Sequence, residues 1–116
     1  MVNATKFVLL IAVLTAGCSG LSEPLSIADA EAVGFEKDSQ KLYQMVGAVD
    51  GWSGTWAGER VELYQFKDAA SVNREVFQAS TQDGNISGWV ELCSTRNLLM
   101  LSKGEAACSE LESLNV

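Results

Sequence analysis

The apolar run Phe7–Leu14, read as FVLLIAVL, is the first constraint on this chain, because it decides how much of the sequence is left to fold. One cation, Lys6, precedes it, and the small residues Thr15, Ala16 and Gly17 follow it, just before Cys18. Charged, apolar and small regions in that order make a secretory signal. A helix that crosses a bilayer needs ~20 apolar residues and this run is far shorter, so removal is expected rather than retention as a span. Taking away residues 1–17 leaves 99 of the 116 residues. That is one small domain, long enough to bury roughly two-thirds of its extended surface.

The four residues Thr15-Ala16-Gly17-Cys18 resemble the lipobox of bacterial lipoproteins, in which small or aliphatic residues precede an obligatory cysteine at the cut. The resemblance covers about the first twenty residues. It implies that Cys18 is the lipidated first residue of the mature chain, carrying a diacylglyceryl thioether and commonly an amide-linked acyl chain, such as palmitate, that removes the terminal charge. Each buried methylene contributes ~0.8 kcal/mol, so several chains hold the protein to the membrane without measurable release. In a Gram-negative cell, Ser19 rather than Asp after the cysteine implies the outer membrane, with the domain facing the periplasm. An ordinary signal peptide cut nearby is the alternative, and it would leave Cys18 a plain thiol or remove it.

With Cys18 committed to lipid, Cys93 and Cys108 remain as an even pair in an oxidising compartment, which predicts a disulfide. No histidine occurs and no CxxC spacing, so a thiolate metal site is not expected. The signal holds one of eight cations and none of fifteen acids, leaving seven against fifteen, a net of −8. Such a surface repels nucleic acid and anionic lipid alike.

Along the mature chain, residues 18–26 read as a lipidated tether and residues 27–116 as a single α+β domain. Ser26 and Asp29 form a capping arrangement for a first helix, with Ile27, Ala30 and Val33 on one face. A second helix is expected from Asp38 to Val46, placing Leu42, Met45, Val46 and Val49 in the core. Asp50–Gly58, DGWSGTWAG, reads as a turn-rich connector or irregular hairpin. Glu59–Phe66, apolar on both faces, predicts a central strand. Asp68 caps an expected helix over Ala69–Ser80, with Ala69, Val72, Val76 and Phe77 as its stripe. Gly88–Cys93 and Leu98–Leu101 predict a hairpin, and Ser102 with Glu105 a capping box for a last helix carrying Ala107, Cys108, Leu111 and Leu114 inward. The expected order is α-β-α-β-β-α: a mixed or antiparallel sheet of about three strands with helices on one face. By element order alone this resembles part of a ferredoxin-like fold, which carries no function.

Three candidate sites follow from the residues. Trp52 and Trp56, with Asp50 and Glu59 nearby, either stand in water as a platform for a sugar ring or a protein partner, or fold back to close the core. Asp83, Asn85, Ser87 and Glu91 fall at the first, third, fifth and ninth positions of an EF-hand loop, but Ser94 stands where the closing glutamate belongs and a plain Asp-Gly turn explains the same residues. Catalysis lacks a natural base: without histidine no Ser-His-Asp or Cys-His set exists, and GWSGTW does not complete a G-x-S-x-G elbow. Paired carboxylates remain the only enzymatic option. No cofactor is expected. The expected role is therefore a non-enzymatic envelope lipoprotein contacting another envelope protein, with glycan or peptidoglycan binding through Trp52 and Trp56 as the alternative.

Overall fold

A computed structural model of the chain describes residues 23–115 except 83 and 85. The signal, the lipobox-like residues and Cys18 lie outside the described residues, as do Asp83 and Asn85. The domain is a mixed α+β unit built on one antiparallel sheet of five strands: β1 Glu36–Gln40, β2 Asp50–Trp56, β3 Glu59–Gln65, β4 Glu91–Thr95 and β5 Leu98–Ser102. Their spatial order is β1-β2-β3-β5-β4. Among the described residues three helices accompany them, α1 Ile27–Glu31, α2 Glu75–Gln78 and α3 Glu105–Glu112, together with 3-10 turns at Tyr43–Val46 and Ala69–Ser71.

Sequence periodicity places β3 at the centre, and the register shows why. Leu63 lies opposite Met100, and Tyr64 opposite Leu99, so alternate residues of β3 and β5 feed opposite faces of the sheet. One face carries Val61, Leu63, Leu98 and Met100 under Ile27, Ala30, Phe35, Ala107 and Leu111. The other carries Tyr64, Phe66, Leu99 and Leu101 with Phe77 and Ala48, and the Tyr64 and Phe77 rings lie 5.2 Å apart. β5 is buried along its whole length because both faces are covered.

Two expectations of architecture are therefore corrected. The sheet has five strands rather than about three, and helical elements cover both faces rather than one. Every strand pairing is antiparallel, so the βαβ crossover of a ferredoxin-like fold is not formed by these strands.

Three local differences have physical causes. Asp38–Val46 is not a helix: Glu36–Gln40 is an edge strand exposed throughout, with a bulge between Lys37 and Ser39, and only Tyr43–Val46 turns, ending at left-handed Gly47. The glycine-rich stretch is a strand because its glycines relieve contacts a side chain would make. A Cβ at Gly51 would lie 2.6 Å from the Tyr64 ring, and one at Gly54 would strike the Glu36 carbonyl. Ala69–Ser80 breaks into the Asp68-capped 3-10 turn and the single turn of α2.

Capping was half legible. Ser26 and Asp29 make the reciprocal capping box at α1. At α3 the N-cap is Gly104, and Ser102 turns its hydroxyl to the Gly104 carbonyl at 2.7 Å instead. The cap comes from across the sheet: Glu59 accepts from the Ala107 N–H at 2.8 Å and the Ala106 N–H at 3.3 Å. A carboxylate there satisfies orphan amides and complements the helix dipole.

Cys93 on β4 and Cys108 on α3 are bonded, with Cα atoms 5.9 Å apart and a sequence separation of 15. A loop of that size contributes about 3 kcal/mol in the chain-entropy account. Reduction is expected to lower the melting temperature by about ten degrees or more, at roughly 4–8 °C per kcal/mol for a domain of this size. A melting curve with and without reductant, with thiol titration showing the bond open, checks this, and an unchanged midpoint would remove the staple from the account of stability.

Candidate functional site

Trp52 and Trp56 sit four positions apart on β2 and so point to the same face of the sheet, yet their surroundings differ. Trp56 is 1% exposed. Its ring lies 5.8 Å from that of Phe35, and its Nε1–H donates to the Val33 carbonyl at 3.3 Å. It closes the core end and offers no ring to a ligand, so the two-ring platform is not assembled. Beside it, Val33, Gly34, Ala57 and Glu110 line a hollow of about 220 Å³.

Trp52 is half-buried and leans on the same core from its rim. The Lys37 ammonium of β1 stands 4.4 Å from its ring centre, a cation–π contact of about 0.5–1 kcal/mol at a partly exposed site. Its Nε1, shut off from water, is the one buried side-chain nitrogen or oxygen among the described residues without a hydrogen-bond partner. A buried unpaired donor costs about 1–3 kcal/mol. The arrangement lies against β1, one of the sheet's two edge strands, whose five residues are all exposed.

The carboxylates near these rings are engaged elsewhere. Asp50 accepts from the Gly51 N–H at 2.9 Å and from Gln40 Nε2 at 3.2 Å, while Glu59 caps α3. Sequence reading passed over Lys37, whose position above Trp52 depends on the β1–β2 register, and also Trp89, whose ring has Lys103 Nζ 4.6 Å from its centre. The alternation of Lys37 and Ser39 against Gly54 and Ser53 is visible only once the strands are paired.

Two members of the EF-hand-like set are described. Ser87 donates to the Ser80 carbonyl at 2.8 Å, and Glu91 opens β4. Ser94, at the closing position, accepts from Arg74 at 2.8 Å, and the following chain is strand rather than the exit helix of an EF-hand. Among the described residues, no group of three or more His, Cys, Asp or Glu is placed to hold a metal ion.

On the opposite face, Tyr64 donates to Glu62 at 3.0 Å, and Lys41 meets the other Glu62 oxygen at 3.2 Å. Burial, then the Glu62 charge, then the hydrogen bond to Glu62 push the Tyr64 phenol well above its ordinary value. That direction keeps the hydroxyl protonated, the reverse of an activated nucleophile. Searches against protein-family profiles, curated proteins and solved structures find no match to this chain.

Two expectations test these environments. Trp56→Ala should cost about 3–5 kcal/mol of unfolding free energy, as for large aromatic truncations in cores. Trp52→Phe, which keeps a ring and removes the unpartnered N–H, should cost nothing or stabilise by up to about 1 kcal/mol. Urea denaturation of the two variants decides, and equal losses would mean the rings share one environment. For Tyr64, the folded state holds a proton that the unfolded chain gives up near pH 10. Stability should be full below that pH and fall as pH rises above it. Tyr64→Phe should show a shallower decline between pH 9.5 and 11, and a parallel decline would assign the loss to the lysines.

Proposed function

We propose that the chain is a non-enzymatic lipoprotein of the bacterial envelope, anchored through Cys18, whose domain contacts another envelope protein. The observation that carries the contact is Trp52: a half-buried ring with an unpartnered donor, roofed by the Lys37 ammonium, which also meets Glu31 at 3.7 Å, beside an edge strand with no neighbour on its far side among the described residues. Withdrawal of Lys37 would uncover an aromatic face next to a row of backbone groups, the two features that strand-adding partners use. The lipobox-like residues supply the anchor, and the disulfide suits an oxidising compartment. The outer membrane, with the domain in the periplasm, follows from Ser19.

Glycan binding remains a distinguishable reading in which Trp52 alone would stack a sugar. Cys18→Ser should move the protein from the membrane to the soluble fraction, and continued membrane association would remove the anchor. In detergent extracts, Trp52→Ala combined with Lys37→Glu should lose the co-purifying partner while circular dichroism stays native. Retained capture would move the contact elsewhere, and pelleting with purified peptidoglycan sacculi that is lost in the same variant would favour the glycan.

A further inference from the structure

The most unusual surface lies in the β1–β2 connection, residues 41–49. Tyr43, Val46 and Ala48 pack inward against the second core, while Leu42, Met45 and Val49 are left 73%, 79% and 49% exposed. Hydrogen bonds fix where this segment sits. Lys41 N–H donates to the Gly51 carbonyl, and Val49 N–H donates to the Gln65 carbonyl at 2.8 Å. The Gln65 side chain in turn accepts from the Ile27 N–H at 3.0 Å. Next to Gln65, Asn97 grips both polar groups of the Leu25 backbone. The exposed apolar loop and the point where the chain enters the domain therefore share one end of the sheet. Cys18 precedes Glu23 by five residues, a reach of at most ~18 Å for extended chain.

We infer that Leu42, Met45 and Val49 form a membrane-contact surface that enters the interfacial layer of the bilayer holding Cys18. The inference rests on the lipid-anchor reading, and it adds an orientation: the domain lies down on the β1–β2 loop, and the Trp52 face with its β1 edge stands to the side. A lipid surface is the occupant because the tether brings this end, and no other, within a few residues of the bilayer, at an effective concentration that lets a small apolar patch suffice. The net charge of −8 after residues 1–17 are removed disfavours anionic headgroups, so the contact is apolar and does not require them.

The test uses the lipidated full chain in phosphatidylcholine vesicles, as wild type, Met45→Trp and Val90→Trp. Val90 is exposed at the opposite end, where its N–H meets the Ser102 carbonyl. Vesicle flotation of the wild type comes first. Brominated acyl chains should then quench the added emission of Met45→Trp at least twofold more than that of Val90→Trp. In the unsubstituted chain, amides 42–46 should exchange hydrogen at least threefold more slowly than in Cys18→Ser mixed with the same vesicles. Protein that floats yet shows equal quenching at both positions and unchanged exchange overturns the membrane contact and leaves the anchor standing. A loop covered by a protein partner would give that result, since the vesicles contain lipid alone. Wild type that does not float overturns the anchor and the contact together.

Discussion

A single buried carboxamide ties the lead-in of this domain to its middle. Asn97, 1% exposed in the turn between β4 and β5, accepts from the Leu25 N–H at 2.6 Å and donates to the Leu25 carbonyl at 2.7 Å and the Phe66 carbonyl at 2.8 Å. Its own carbonyl takes the Phe66 N–H at 2.8 Å. Three backbone groups, two on Leu25 and one on Phe66, are thus satisfied by one side chain away from water, where an unmade bond is expensive and a complete set is rigidifying. Without it, the lead-in to α1 would lose its register on β3, and Ile27 and Ala30 their place over Leu63.

From that joint the rest of the fold follows as a sheet that must be covered twice. β3 and β5 present apolar residues to both sides, so neither face can be left to solvent. The first face is closed by α1 and α3, the latter held at its start by Glu59 and at its middle by Cys108. The second is closed mostly by irregular chain, residues 43–49 and 66–82, which contributes Ala48, Phe66 and Phe77 without long helices. Backbone in such segments is secured by side-chain bonds, as where Asp68 holds Ser71 and Arg74 ties β4, the other edge strand, through the Leu92 carbonyl and Ser94.

The elements legible in the sequence are those whose pattern and packing agree. Glu59–Gln65, the Glu91–Ser102 hairpin, α3 and the Ser26 cap show their period or their signal residues locally, and Cys93 with Cys108 followed from parity. Where the sequence misleads, tertiary contact outweighs local preference. Leu42, Met45 and Val49 recur at helical spacing, yet the edge strand and left-handed Gly47 take that segment out of helix. Gly51, Gly54 and Gly58 read as turn residues, but only Gly58, in the Ala57–Gly58 reversal, acts as one; the other two admit the Tyr64 ring and the neighbouring strand. The candidate site divides in the same way. Both tryptophans were visible, but their unequal burial is set by Phe35 and Val33 on one side and Lys37 on the other, none of them marked by a motif.

Arg96 carries a consequence for anyone who handles this protein. Its side chain donates to the Glu23 carbonyl at 3.3 Å and to Asn115 at 3.2 Å, which brings the two extremities of the described chain to one spot. Added bulk next to Asn115 would crowd the route by which the chain enters the fold at Glu23. The reversal at Ala57–Gly58, both residues exposed and at the far end of the sheet, is the roomier place to insert one. The same closeness of extremities makes the domain a natural subject for circular permutation, with new ends opened at that reversal and the old ones joined by a short linker.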